Sequence, residues 1–232
     1  MILLGITWHD LLNPEFYIQH GGLWLLIFIV FAETGLFAGF FLPGDSLLFV
    51  AGIYSRDLAV EFFKIFKIES FHSDIIELFV LAALISTAGI LGNFIGYWFG
   101  RKIGPAMYHW KDNLLFKKKY LHEAHDFYEK HGGGAIVFAR FLPIVRTFAP
   151  IIAGIVEMDK KKFVFYSITG CIAWVCSMLL AGHYLYKLFL EKFNFDLKAH
   201  LEVIVLGIIL VTTLPVLYKL IFSKKKHPPT KP

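Results

Sequence analysis

Phe138-Ala139-Arg140-Phe141-Leu142-Pro143-Ile144-Val145-Arg146-Thr147-Phe148-Ala149-Pro150 sets two arginines and two prolines inside the apolar segment 132–158. A charged side chain at the centre of a bilayer costs about 2.5–3.5 kcal/mol on insertion scales. Proline removes a backbone donor and leaves a carbonyl without its helical partner. Irregular backbone at membrane depth is tolerated only where protein or a water-filled cavity covers it. The segment therefore reads as a re-entrant hairpin that enters and leaves the membrane on one side. Residues 21–54 have the same character, too long for one span and interrupted by Glu33, Asp45 and a central Pro43-Gly44. They read as a second hairpin. The alternative, a pair of tight crossing spans, leaves about 17 residues for each arm.

The composition agrees with a chain built for lipid. Of 232 residues, 57% are hydrophobic and 18% charged, against about 25% charged in soluble domains, and the mean hydropathy is +0.62. This excludes a disordered chain and an ordinary soluble enzyme. Cys171 and Cys176 sit in one apolar run and form no disulfide framework. The net charge of +5 comes from basic residues that flank apolar segments, with no aromatic-basic face for nucleic acid. No nucleic-acid partner is expected.

The expected fold class is an all-α polytopic membrane protein, one membrane domain over 1–222. It comprises an interfacial helix at 1–20, the hairpin 21–54, a transmembrane helix at 75–100 and an amphipathic cytoplasmic helix at 113–131. The hairpin 132–158, transmembrane helices at 163–188 and 201–222, and a basic cytoplasmic tail at 223–232 complete it. The basic residues orient this arrangement. Arg101, Lys102, Lys111, Lys117, Lys118, Lys119, Lys130, Lys160, Lys161, Lys162, Lys224, Lys225, Lys226 and Lys231 share one side if each hairpin returns to its own side. Only Arg56, Lys64, Lys67, Lys192 and Lys198 lie on the other. The positive-inside rule makes the first group, and the C-terminus, cytoplasmic.

The hairpins then enter from opposite faces, and they resemble each other. Phe31-Ala32-Glu33 and Phe138-Ala139-Arg140 are each followed ten residues later by a proline, Pro43 and Pro150. Ala51-Gly52-Ile53 and Ala153-Gly154-Ile155 close the two segments, the second five residues sooner. Opposed, related hairpins form an inverted repeat of the kind secondary transporters use.

Opposed insertion brings Glu33 and Asp45 toward Arg140 and Arg146, whose formal charges cancel. Unpaired, four such charges would cost on the order of 10–14 kcal/mol. The quartet has two readings. It locks the hairpins together by ion bridges, or it forms an alternately accessible site in which arginines hold an anion and acids carry protons. Arginine suits phosphate because its planar fork meets two oxygens at once. Pro43, Gly44, Pro143, Pro150 and Gly154 shape the hairpins, and Asn93, Tyr97, Trp174 and His183 are candidates to line the cavity. His122, His125 and Glu129 have nominal metal spacing but belong to a solvated face, so neither metal nor cofactor is expected. No aspartate dyad, Gly-x-Ser-x-Gly or phosphate-binding glycine loop is present, which argues against an enzyme.

Phe31-Ala32-Glu33-Thr34-Gly35, Phe41-Leu42-Pro43-Gly44-Asp45-Ser46, Gly96-Tyr97-Trp98-Phe99-Gly100-Arg101 and the run from Phe138 to Pro150 with its Arg-x-x-Pro-x-x-Arg core resemble the DedA family. That family is the bacterial branch of the SNARE-associated, VTT-domain membrane proteins, and the resemblance covers about residues 20–190. It implies two opposed re-entrant hairpins, an inner-membrane location and a role in moving lipids between leaflets. Bacterial members are implicated in recycling undecaprenyl phosphate, others in phosphatidylethanolamine flipping or proton-driven homeostasis. The family's essential acids match Glu33 and Asp45, and its essential arginines Arg140 and Arg146. Where the family often has aspartate beside the glycine of its third motif, this chain has Asn93.

The expected function is translocation of a lipid phosphate, undecaprenyl phosphate first and a phospholipid such as phosphatidylethanolamine second, coupled to the proton motive force. A proton-coupled small-ion antiporter and a structural membrane-homeostasis factor are the alternatives. The partners expected are the lipid phosphate, surrounding membrane lipids and protons. Topology tests the frame directly: reporter tags after Pro232 and within 111–120 should be cytoplasmic, and one within 57–72 periplasmic. Finding 57–72 and 111–120 on one side would end the inverted-repeat account.

Overall fold

The computed structural model describes residues 14–36, 44–67, 73–107, 128, 133–140, 143–193, 197 and 207. Seven helices carry the described chain: α1 (Pro14–Gly35), α2 (Gly44–Ile53), α3 (Ser55–Phe66), α4 (Asp74–Met107), α5 (Gly134–Ala139), α6 (Pro143–Ile155) and α7 (Lys160–Phe193). No strand occurs among the described residues. Residues 1–13, nearly all of 113–131, nearly all of the span expected at 201–222, the tail and Pro43 lie outside them.

Two helices dominate. α4 and α7 have 34 residues each, about 50 Å at 1.5 Å per residue, and both are long and apolar enough to cross a membrane. They contain the stretches expected at 75–100 and 163–188. Their outward faces carry large apolar side chains without protein cover, among them Phe79, Leu91 and Trp98 on α4 and Phe165, Ile172 and Leu188 on α7. An exposed apolar surface of this extent fits lipid as its solvent.

Local chemistry sets the helix ends. The backbone of α1 breaks at Gly22, whose φ of 56° is the left-handed conformation glycine tolerates. The Glu61 carboxylate of α3 accepts from the Leu23 N–H at 2.8 Å, capping the helix where it restarts. Pro143 opens α6, where a missing N–H costs nothing. Inside α6, Pro150 removes the bond to the Arg146 carbonyl. α6 ends with Glu157 at φ 54°, Met158 N–H on Ala153 O and Glu157 N–H on Gly154 O, a paired closure that frees the chain to turn into α7. Asp159 Oδ1 then caps α7 through the Lys162 N–H at 3.0 Å.

The short helices pack on the long ones in a crossed pattern. α1 lies on α4 and α5 on α7, whereas α2 lies on α7 and α6 on α4. The same close contacts occur twice. A Cβ on Gly52 would meet Leu179 O and His183 N, and one on Gly154 would meet Tyr97 O and Arg101 N. A Cβ on Gly182 would strike Phe49 O, and one on Gly100 would strike Ile151 O. α4 and α7 run antiparallel: Gly89 faces the Cys171 sulfur, and Asp74 at the start of α4 meets Lys187 near the end of α7. The larger apolar core, including Leu26, Val30, Leu47, Val50, Leu81, Ile85, Trp174 and Leu179, joins α1, α2, α4 and α7.

Because the obstacle at Gly154 and Gly52 is backbone, it cannot rotate away. Gly154→Leu and Gly52→Leu should each cost at least the 1–3 kcal/mol typical of overpacking. Gly134 has open space around it, so Gly134→Ala should be neutral or slightly stabilising. Thermal unfolding in mild detergent checks all three, and unchanged melting of Gly154→Leu would discount the crossed packing.

Candidate functional site

Four charged residues placed in apolar segments by the sequence are drawn toward one buried region between α1, α2, α6 and α7, but they do not form two equivalent pairs. Arg146, in the first turn of α6 and 2% exposed, donates from Nη2 to Glu33 Oε1 and from Nη1 to Asp45 Oδ1. One guanidinium thus holds both acids. Glu33 lies in the last turn of α1, where helix carbonyls make a carboxylate unfavourable. The guanidinium offsets that. Asp45 occupies the first turn of α2, where the helix end favours it. Gly44 is a spatial necessity, since a Cβ there would overlap the Glu33 carboxylate.

Trp174 of α7 completes the arrangement. Its Nε1 donates to Asp45 Oδ1 at 2.8 Å, and the Arg146 guanidinium lies 4.4 Å above its ring centroid. The ring thereby orients the acid and stabilises the cation through its π face.

Arg140 stands apart from the acids, with no carboxylate on it among the described residues. It follows α5 directly, is 3% exposed and donates from Nη2 to Ser167 Oγ at 3.2 Å. Its aliphatic stem packs where Gly170 leaves room, beside the Cys171 thiol. Its Nε and Nη1 have no hydrogen-bond partner among the described residues. Neither do Arg146 Nε, Glu33 Oε2 or either amide atom of the fully buried Asn93. Buried donors are normally satisfied. This cluster concentrates unfilled donors around Arg140, which contacts no carboxylate among the described residues.

The other candidates divide. Trp174 belongs to the cluster. Asn93 is buried one helical turn from the Gly89–Cys171 contact. Tyr97 does not join the acids: its hydroxyl donates to Met158 O at 2.5 Å and accepts from Arg101 Nη1 at 2.8 Å, securing the α6–α7 turn. His183 is placed elsewhere too, with Nδ1 3.1 Å from Ser55 Oγ and Nε2 3.7 Å from Asp74 Oδ2. It lines a 310 Å3 cavity with Arg56, Asp57, Lys187 and Glu191. Gly154 and Pro150 hold α6 against α4. Ser167 was missed, although Ser167, Cys171 and Trp174 share one helical face at i, i+4 and i+7.

Among the described residues the chain is all-helical, with two candidate spans and charges buried between its helices, which is consistent with a membrane protein. It belongs to the DedA family: the VTT domain model matches residues 42–184. The chain is 35% identical to Protein DedA of Escherichia coli strain K12, over 88% of this chain and 85% of that one. It is 36% identical to the membrane protein Rv0364 of Mycobacterium tuberculosis, over 90% and 85%. To the inner membrane protein YqjA of Escherichia coli strain K12 it is 30% identical, over 80% and 78%. No solved structure matches.

Removing the shared guanidinium strands two carboxylates in one buried place. Arg146→Ala should therefore cost about 3–5 kcal/mol and reduce the folded protein recovered from membranes. Arg146→Lys keeps the charge but not both bonds, and should melt between wild type and Arg146→Ala. Wild-type melting of Arg146→Ala would show that the pairing contributes no stability.

Proposed function

We propose that the protein moves a lipid phosphate between membrane leaflets, its headgroup held by Arg140 and its tail left in lipid beside the short helices. The observation that carries this reading is the buried Arg140 guanidinium, whose Nε and Nη1 have no hydrogen-bond partner and which meets no carboxylate among the described residues. An anion there supplies the missing acceptors, in the two-oxygen geometry that the guanidinium fork fits. Arg146 serves second, since Glu33 and Asp45 already occupy it. The two acids are the proton-carrying groups. Undecaprenyl phosphate is the first cargo and a phospholipid such as phosphatidylethanolamine the second.

In this reading 21–54 and 132–158 are opposed re-entrant hairpins of an inverted repeat in the inner membrane, with the C-terminus cytoplasmic. The duplicated glycine contacts and the antiparallel long helices support the repeat. Basic-residue asymmetry supports the orientation. A fold-locking role is favoured for Arg146 by its two carboxylate partners, but it does not account for Arg140.

Arg140→Gln removes the charge and keeps some hydrogen-bonding capacity. Losing a charge-assisted hydrogen bond of about 1.5–3 kcal/mol should slow translocation of a labelled isoprenyl phosphate in proteoliposomes at least tenfold, with melting near wild type. Full activity in folded Arg140→Gln would dismiss the headgroup site. Cation exchange for protons without any lipid movement would favour the antiporter.

A further inference from the structure

We infer that Glu33 and the phosphate headgroup take turns on the Nε–Nη2 edge of Arg146, so that a monoanionic headgroup crosses with one proton and no net charge. The inference rests on the lipid-phosphate reading and specifies its coupling. Glu33 and Asp45 carry two negative charges, Arg140 and Arg146 two positive ones, and the sum is zero. The Glu33 and Arg146 side chains are 3% and 2% exposed, and that of Asp45 13%. An anion added to a buried neutral cluster leaves one charge uncompensated in a low dielectric, which is strongly unfavourable. Protonating one carboxylate restores neutrality.

The hydrogen bonds select the acid. Nη1 of Arg146 is held by Asp45, Nη2 by Glu33, and Nε has no partner among the described residues. Nε and Nη2 form the side edge of the guanidinium, one of its two-pronged faces toward phosphate oxygens. Neutralising Glu33 weakens its hold on Nη2 and opens that whole edge. Neutralising Asp45 opens only Nη1, while Trp174 Nε1 still holds its Oδ1. Glu33 is therefore the exchanging acid, and Asp45 with Trp174 keeps Arg146 in place meanwhile.

Among the described residues, the only other carboxylate in the cluster is Asp45. The charged and titratable groups of the cluster are Arg146 from α6, Asp45 from α2, Arg140 after α5 and Cys171 from α7. At this level α4 contributes Gly92, against Thr34 and Gly35, and the uncharged Asn93. The proton enters Glu33 from the aqueous phase on the side where the headgroup arrives. It leaves to the opposite phase when the headgroup departs and the carboxylate returns to Nη2.

The full-length protein in phosphatidylcholine vesicles carrying a fluorescent isoprenyl monophosphate tests this. One arm imposes a pH difference with the potential clamped at zero by potassium and valinomycin. The other imposes a potential of ~59 mV at equal pH, which would redistribute an uncompensated single charge tenfold. The expected result is about a tenfold leaflet ratio per pH unit and less than twofold for the potential. Glu33→Gln should pass the lipid downhill with no response to pH, and Glu33→Asp should retain the response at a reduced rate. A tenfold response to the potential, or a hundredfold ratio per pH unit, overturns the one-proton exchange. Downhill movement indifferent to both gradients overturns the coupling and leaves lipid translocation standing. No lipid movement in any arm removes the lipid-phosphate reading, and the inference falls with it.

Discussion

The arrangement depends on one guanidinium. Arg146 joins the end of α1 through Glu33, the start of α2 through Asp45 and the face of α7 through Trp174, while belonging to α6 itself. Four helices meet on one planar cation. Ion pairs this buried are weak evidence for stability by themselves, because well-packed apolar groups often do as well. Their retention here has a geometric consequence: short helices that cannot each span a bilayer are fixed by polar contacts with only one mutual registration. Gly44 belongs to the same constraint, since any side chain there would displace the Glu33 carboxylate that Arg146 requires.

The charged residues of the site were legible because Glu33, Asp45, Arg140 and Arg146 lie inside segments otherwise free of charge. Charge in an apolar segment announces that a partner exists, without naming it. Which arginine meets the acids is set by where α5 stops and Pro143 restarts the helix, placing Arg146 one turn into α6 and leaving Arg140 outside it. The same limit explains Tyr97 and His183. Both are polar positions on long apolar helices that need partners, yet theirs are Met158 with Arg101 and Ser55 with Asp74. The Glu61 cap on α1 was out of reach for a related reason: its 38-residue separation from Leu23 appears only once α3 packs beside α1.

The repeat in the sequence was faint, whereas the repeat in the contacts is sharp. Ala-Gly-Ile recurs in the two segments, and each central glycine seats its helix against an i, i+4 pair of backbone atoms on a long helix. The reciprocal glycines, Gly182 and Gly100, lie one residue before the second member of each pair, His183 and Arg101. α2 docks chiefly on α7 and α6 chiefly on α4, although each also touches the short helix before it.

The duplicated contacts also show where the halves differ. Through the glycine register, His183 occupies the position in one half that Arg101 holds in the other. Arg101 reaches the turn after α6 through the Tyr97 hydroxyl, while His183 reaches the start of α3 through Ser55 and stands beside Asp74 and Lys187. At the centre the difference is one of charge: Phe31-Ala32-Glu33 in the first half answers Phe138-Ala139-Arg140 in the second. Two identical halves would bury four like charges together. Opposite charges in the two similar segments let the same backbone contact occur twice while the cluster stays neutral. The repeat can be symmetric in packing only because it is antisymmetric in charge, and that antisymmetry leaves Arg140 without a carboxylate once Arg146 has claimed both.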